Sequence, residues 1–230
     1  MDGYFKVAPA ILKQLYVVRA KLDASAVTCV YCLLPGKGGI LYNELFTVIQ
    51  RKMQQLNLPI NMTEVSADFE MAAYNAIIRM VFGPLISIGG CFYHLTQTTY
   101  RKACELGLKQ LIDTGTPQNP NPHYRPDLRQ CAAMIDALAF LPRAQVQIGV
   151  MVLYRNIPDP TIRPLLDYFH DTYVAGPPLP NQPMMRAQPL FPIAIWNKCK
   201  EQIEQTIYAK DGTMASLNFW IMSTILPSTP

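Results

Sequence analysis

The fold of this chain is decided by residues 65–94, which read VSADFEMAAYNAIIRMVFGPLISIGGCFYH. A short apolar run ends at Asp68, and an apolar stripe at helical spacing then extends from Tyr74 to Phe82. A second apolar run leads to Cys91 and His94, a Cys-x-x-His pair at the start of a further helical segment. The pattern predicts strand, helix, strand and helix. It places Asp68 at the carboxyl end of a strand, where α/β sheets usually hold ligand groups.

The segments before this stretch predict a mixed sheet with flanking helices. Residues 22–25 are typical of a hairpin, so the first three strands are expected to pair as an antiparallel meander. The predicted elements are a strand at residues 2–7, strands at 15–21 and 26–34, a helix over 40–57, a strand at 60–67, a helix ending at 82, a strand at 85–88, and a helix over 91–106 capped by Gly107. This is the α/β element order of the ribonuclease H-like fold.

Beyond Gly107 the sequence predicts mainly helices and loops. The expected features are a loop at residues 113–126, a helix over 128–138, a segment at 146–154 that fits either helix or strand, and a helix over 162–173 begun by Asp159 and Pro160. Six prolines between Gly176 and Pro192 are expected to exclude regular structure and to make a stiff linker. Trp196 is expected to open a last helix that runs to about residue 207.

The composition bounds the class of protein. Half of the 230 residues are hydrophobic, which is enough to bury a core. No stretch reaches about 18 uncharged apolar residues, so no membrane span is expected. The amino terminus lacks a signal peptide, and six unevenly spaced cysteines indicate reduced thiols in an intracellular protein. The net charge of +4 allows a nucleic-acid partner without requiring one.

Blocks of residues along most of the chain resemble the transposases of Mutator-like elements, called MULE transposases. The blocks are residues 2–6, 14–16, 33–35, 67–73, 90–95, 138–140 and 191–197. Each block alone is a weak signal, whereas their order and spacing together are specific to the family.

The resemblance implies a ribonuclease H-like core that cuts and joins DNA with two metal ions held by an Asp-Asp-Glu triad. Asp2 matches the first acid and Asp68 matches the second, so both are expected to be catalytic and to bind Mg²⁺, which prefers oxygen ligands. Taken alone, Asp68 is typical of a helix N-cap. The resemblance also implies DNA as the partner and a nuclear location, and it leaves a homo-oligomer open.

The same resemblance implies the domain organisation. The ribonuclease H-like core would occupy residues 1–107, a helical insertion 108–175, the proline-rich linker 176–192, and a C-terminal helical segment 193–230 would be the degenerate end of the core. In the family, apolar residues of the first strand and a DNA-binding module precede the first acid. Only Met1 precedes Asp2, so the chain is expected to be a truncated form of the family.

The third acid is where the chain departs from the family. The alignment puts Ala215 in the position of the catalytic glutamate, and alanine has no side-chain ligand for a metal. The nearby carboxylates of Glu201, Glu204 and Asp211 do not lie in the family context. The triad is therefore expected to be incomplete, and binding of the two Mg²⁺ ions to be impaired.

Cys91 and His94 match the family's Cys-x-x-His signature, and their spacing puts both side chains on one helical face. A zinc site would need two more ligands, and neither His123 nor His170 has a cysteine at metal spacing. The pair is expected to brace the helix against the active-site strands, with a modulating role near the metal ions as the alternative.

Two functions follow from these expectations. The first is a MULE-type transposase fragment, related to metal-dependent DNA cleavage and strand transfer, which retains Asp2 and Asp68 and is expected to be inactive without the third acid. The alternative is a catalytically dead, transposon-derived protein that binds DNA or a protein partner. The missing third carboxylate at position 215 is the sequence feature that separates the two functions, and it favours the second.

Overall fold

The computed structural model describes residues 2–4, 8–9, 11–22, 25–59, 62–78 and 87–199. It is a mixed α/β structure that divides into two compact units, Met1–Cys91 and Phe92–Pro230. The assignment of residues 92–107 to the same domain as the preceding strands stays a prediction.

The first unit begins with an antiparallel meander. It consists of β1 (Asp2–Tyr4), β2 (Gln14–Leu22) and β3 (Ser25–Leu34), in the order β1-β2-β3. Opposed pairs run from Gln14↔Leu34 to Leu22↔Ser25, with a register shift after Val18. The predicted pairing of the first three strands is therefore confirmed for the described residues.

Helix α1 (Gly39–Gln55) follows the meander and turns its apolar stripe inward. The helix ends where Asn57 adopts a left-handed conformation with φ of 53°. The Leu58 N–H donates to the Met53 carbonyl and the Asn57 N–H to the Gln54 carbonyl, which is the Schellman arrangement of a helix end. The predicted helix over 40–57 is confirmed to within two residues at its end.

A parallel strand pair completes the first unit. Strands β4 (Glu64–Ala67) and β5 (Ser87–Gly90) pair with Ala67 opposite Gly90, and α2 (Met71–Ala76) lies between them in the chain. The predicted continuation of this helix to residue 82 and the predicted strand start at residue 85 fall outside the described residues.

One hydrophobic core joins the meander to the parallel pair. Its members come from both sheets and both helices of the unit: Tyr16, Leu34, Tyr42, Leu45, Phe46, Val65, Ala67, Ala73, Ala76 and Ile77. The Tyr16 ring packs edge-on against the rings of Tyr42 and Phe46, at centroid distances of 5.3 and 6.4 Å. Burial of each large side chain stabilises the unit by about 1.5–3 kcal/mol, so this core holds α1 and α2 on the strands.

The second unit is mainly helical. Its helices are α3 (Phe92–Glu105), α4 (Lys109–Ile112), α5 (Pro126–Ala137), α6 (Val146–Arg155) and α7 (Arg163–Phe169). Gly107, with φ of 76°, ends α3 as predicted, and the open choice at residues 146–154 is resolved as a helix. Asp159 caps the helical segment that leads into α7, because its side chain accepts a hydrogen bond from the Thr161 N–H at 2.9 Å.

The predicted loop at 113–126 contains a minimal hairpin. Strand β6 (Gly115–Thr116) pairs with β7 (Asn119–Pro120). Asn121 ties this hairpin down, because its amide nitrogen donates to the carbonyls of Gln110 and Asp113.

After α7 the chain makes a π-helical turn, His170–Val174, that carries Tyr173 into the core. The centroid of the Tyr173 ring lies 5.0 Å from that of Phe169 and 5.7 Å from that of Phe191. The backbone carbonyl of Tyr173 accepts a hydrogen bond from the Trp196 indole N–H. These four aromatic residues form an aromatic cluster in the core of the second unit.

The proline-rich segment corrects two expectations. Strand β8 (Pro178–Leu179) pairs with β9 (Gln182–Arg186), so the prediction that prolines exclude regular structure is wrong for this part of the segment. A two-stranded ribbon tolerates proline because the outward N–H groups of its strands need no partner strand. Trp196 ends the short helix α8 (Ile193–Trp196) and does not open a helix, and residues 200–207 of the expected helix lie outside the described residues.

Candidate functional site

Two positions that the sequence singled out lie at the same edge of the parallel strand pair. Asp68 follows β4 directly and Cys91 follows β5 directly. Because Ala67 is opposite Gly90, both strands end together, and the Cys91 N–H donates to the Ala67 carbonyl at 2.9 Å. The prediction that Asp68 lies at the carboxyl end of a strand is confirmed.

The chain path after Asp68 is fixed by a close contact between Phe69 and Gly90. A Cβ atom at Gly90 would lie 2.5 Å from the Cζ atom of the Phe69 ring, so no larger residue fits without a shift. The ring therefore covers the end of β5. The N-cap of α2 is Glu70, so the interpretation of Asp68 as a helix N-cap is wrong.

A buried hydrogen-bond chain leads from β2 to Glu70. The side-chain nitrogen of Gln14 donates to the Gly36 carbonyl at 2.9 Å and to the Tyr42 hydroxyl at 2.8 Å. The Tyr42 hydroxyl in turn donates to Oε2 of Glu70 at 2.8 Å. Gln14 and Tyr42 are both fully buried. The chain thus connects β2, the loop before α1, α1 itself and the start of α2.

The electrostatics of this chain keep Tyr42 neutral. Burial is the main cause that raises the pKa of Tyr42, and the hydrogen bond to Glu70 and the negative charges of Glu70 and Asp68 raise it further. The hydrogen bond from Gln14 acts in the opposite direction. A neutral hydroxyl is a permanent donor to Glu70, so Tyr42 holds that carboxylate at the start of α2.

Sequence reasoning missed this chain. Tyr42 falls on the apolar stripe of α1. The helical spacing predicts that its ring is buried but gives no information about its hydroxyl. Gln14 lies at the start of an apolar strand, and only the structure shows that it is buried and needs polar partners. Glu70 was noted only as part of the resemblance block at 67–73.

The other predicted site residues are only partly described. Asp2 lies in β1 opposite Val17, and its side chain is outside the description. Ala215 lies outside the described residues, as do Glu201, Glu204 and Asp211. In the described part of the chain β1 pairs with β2 and not with β4, so the approach of Asp2 to Asp68 stays a prediction.

The Cys-x-x-His pair is divided by the unit boundary. Cys91 is the last residue of the first unit, and His94 lies in the first turn of α3 in the second. The His94 ring packs edge-on against the Tyr93 ring at 5.4 Å, and the His94 carbonyl accepts from the Thr98 hydroxyl at 2.8 Å. Whether the pair braces α3 stays a prediction.

The carboxylates at the strand edge are chemically suited to a divalent cation. Mg²⁺ is commonly held by one or two carboxylates together with water and substrate phosphates, and Asp68 and Glu70 supply oxygens of that kind. Over the described ranges, no group of three or more His, Cys, Asp or Glu side chains is placed to hold a metal ion. The binding of Mg²⁺ at this edge stays a prediction.

None of the helices in the described ranges has the length and apolar character needed to cross a bilayer. In comparisons with known proteins, the chain matches no family model, no curated protein and no solved structure.

Proposed function

We propose that the chain is a MULE-type DNA transposase domain that has lost its third catalytic acid and binds DNA without cutting it. The observation that carries the proposal is the place of Asp68, directly after a strand at the carboxyl edge of a parallel pair. That pair shares a core with an antiparallel meander whose first strand begins at Asp2.

The element order supports the finer assignment to a ribonuclease H-like core. An antiparallel meander, a helix, and a parallel strand–helix–strand unit follow one another in the first unit, as that fold requires. The proposal adds that β1 lies beside β4, which would bring Asp2 and Asp68 to one end of a continuous sheet.

The residues that would hold Mg²⁺ are Asp2 and Asp68. When bound, such ions activate an attacking water or hydroxyl and stabilise the leaving oxygen of a phosphodiester. Glu70, held by Tyr42, adds negative charge beside Asp68. Because Ala215 contributes no ligand, the proposed site binds metal weakly and depends on the phosphates of bound DNA to complete the coordination.

In this proposal the domain still binds DNA, as the family does, but no longer cleaves it. The net charge of +4 favours contact with a polyanion, and binding through lysine and arginine would weaken steeply as salt is raised. A nuclear location follows if DNA is the partner.

The sharpest test restores the missing acid. We expect the wild-type chain to bind duplex DNA at low salt and to leave it uncut with Mg²⁺ or Mn²⁺. Ala215→Glu is expected to gain Mn²⁺-dependent nicking of supercoiled DNA, because it returns the third carboxylate. Ala215→Gln is the matched control, since it has nearly the same size but no charge, and it should stay silent.

Asp68→Asn in the Ala215→Glu background separates this gain from a contaminating nuclease, and it should abolish the nicking. If Ala215→Glu stays inactive and the wild-type chain does not retard DNA at low salt, the proposal is wrong. Capture of a protein partner without any DNA binding would instead favour the alternative of a transposon-derived protein-binding domain.

A further inference from the structure

The outer edge of the meander is formed by β3. This strand is last in the order β1-β2-β3, and among the described residues only β2 pairs with it. Proteins usually protect such an edge with charged residues, proline, a bulge or a short strand, because its free N–H and C=O groups can pair with another chain. The ten residues of β3 include no charged residue and no proline.

A bulge is the one protection of this kind that β3 has, and it divides the edge. Val18 is opposite Val30 and Arg19 is opposite Thr28, so Cys29 is an extra residue in β3. The regular part of the edge is therefore residues 30–34.

The backbone groups of Tyr31 and Leu33 point to the free edge. The Leu34 carbonyl accepts the Lys13 N–H at 2.9 Å, on the β2 side of the strand. Successive residues of an antiparallel strand direct their N–H and C=O groups to alternate sides. Leu34 and Cys32 therefore face β2, whereas Tyr31 and Leu33 offer two N–H and two C=O groups to a further strand.

The side chains beside these groups are apolar and exposed. Tyr31 is 70% exposed and Leu33 is 48% exposed, and both lie on one face because alternate residues of a strand share a face. Apolar pairs across two strands stabilise a sheet by about 0.2–1 kcal/mol each. The edge thus combines free backbone groups with side chains that a new strand would cover.

This edge is complementary to itself. When residues 30–34 of two copies align antiparallel with Cys32 on the two-fold axis, Tyr31 of each copy is opposite the partner's Leu33. That register satisfies all the edge-facing groups of Tyr31 and Leu33 in four hydrogen bonds. It opposes no like charges within the strand, because β3 carries none.

The charges and the size of the edge limit the strength of such pairing. Each copy has a net charge of +4. Burial and then the charge of Glu44 raise the pKa of Cys32, so Glu44 lies near this edge, where it is exposed and screened by solvent. A standard interface has about 20–30 residues on each side, more than this edge offers. The expected dimer is therefore weak and is strengthened by salt.

We propose that the edge of β3 associates with the same edge of a second copy of this chain, through antiparallel pairing of residues 30–34 about Cys32. Two-fold dimers are the commonest assembly of identical chains. Pairing at β3 leaves β1 free to lie beside β4, so the dimer is compatible with the proposed ribonuclease H-like sheet and does not depend on it.

Sedimentation velocity of the full chain, from micromolar to near-millimolar concentration, tests the association. We expect the sedimentation coefficient to rise with concentration towards that of a dimer. Added salt should favour the dimer, because it screens the repulsion between two positively charged copies. Salt should have the opposite effect on DNA binding, so the two proposals are distinguishable.

Tyr31→Lys is the decisive variant, because it puts a lysine opposite the partner's Leu33, and the exposed position should preserve the fold. It should weaken dimerisation by about tenfold or more, since two apolar pairs are lost in each dimer. Val27→Lys is the matched control: it adds the same charge to an exposed position of the same strand, beyond the bulge. It should change the dimerisation constant by less than about twofold.

Hydrogen exchange followed by NMR locates the interface. The amides of Tyr31 and Leu33 should exchange more slowly as the dimer forms, because the partner strand then accepts their hydrogen bonds. The amide of Cys32 faces β2 and should be protected at every concentration.

Four results would overturn the proposal. The chain could stay monomeric up to its highest soluble concentration. Equal effects of Tyr31→Lys and Val27→Lys would show association through another surface, as would a dimer that leaves the Tyr31 and Leu33 amides unprotected. Protection of both amides in the monomer would show that another segment of the same chain covers the edge.

Discussion

Tyr42 in the first unit and Asp136 in the second are both polar side chains in shielded positions, and they differ in how their hydrogen bonds are satisfied. The Tyr42 hydroxyl accepts from Gln14 and donates to Glu70, so both of its roles are filled by the fold. The Oδ1 atom of Asp136 has no partner among the described residues. The first group is explained by stability, whereas burial disfavours the charged form of the second, and the Thr99 side chain and the Arg129 charge offset this only in part.

The difference teaches how buried polar groups with a structural role can be told from those without one. A buried polar group with every partner in place is typical of a structural element. A buried carboxyl with an unsatisfied oxygen is disfavoured in its charged form, so its pKa rises. The predictions that follow test whether Tyr42 and Asp136 belong to these two classes.

The largest effect is expected for Asp136→Asn on the pH dependence of stability. Burial raises the Asp136 pKa from 3.8 to about 7, so the unfolded chain releases this proton more readily than the folded chain. Wild-type stability should therefore fall as pH rises from about 4 to about 7, by up to about 4 kcal/mol from this group. The variant should lack this component and be the more stable protein above pH 7.

Urea unfolding followed by tryptophan fluorescence measures this difference, because Trp196 is buried in the second unit. Glu105→Gln serves as the control for loss of a carboxylate, since Glu105 is exposed and its partner is the nearby Lys102. Parallel stability curves for the wild-type chain and Asp136→Asn between pH 4 and 8 would contradict the assignment.

A smaller loss is expected for Tyr42→Phe. The change removes the donor to Glu70 and one acceptor of Gln14, while the ring keeps its contacts with Tyr16. Loss of these buried bonds should lower the stability of the first unit by about 1–3 kcal/mol. Hydrogen exchange of the α1 amides is the appropriate measurement, because it reports directly on the helix that carries Tyr42. Unchanged protection would show that the hydrogen-bond chain does not stabilise α1.

The smallest effect is expected for Glu70→Gln. The amide oxygen still accepts from the Tyr42 hydroxyl, so the hydrogen bond survives without its negative charge. Hydrogen exchange in α1 and α2 should change by less than about 1 kcal/mol. A loss as large as that of Tyr42→Phe would mean that the charge of Glu70, and not its geometry, stabilises the unit.

The strands and helices that periodicity could predict were those whose pattern is local. The hairpin of β2 and β3, the helix α1, and the position of Asp68 after β4 follow from alternation and helical spacing in adjacent residues. Gly107 could be predicted as a cap because a left-handed residue at a helix end favours glycine.

The features that sequence reasoning missed depend on contacts between distant residues. The partner of Gln14 lies 28 positions away at Tyr42, and nothing near Gln14 indicates it. Asp136 lies beside the predicted apolar stripe of α5, and the residues that line a cleft with it, such as Thr99 and Leu165, are distant in the sequence. The prolines of β8 and β9 predict a segment without regular structure, although a two-stranded ribbon accommodates them.

The π-helical turn at His170–Val174 has a consequence for how the chain tolerates changes in length. Such a turn holds about one more residue than an α-helical turn, because its hydrogen bonds join residues five positions apart instead of four. Deleting one residue there would restore a regular helix but rotate everything beyond it by about 100°. Tyr173 would then lose its ring contacts with Phe191 and Trp196. The helix itself would accept an insertion or deletion here, but the aromatic cluster would not.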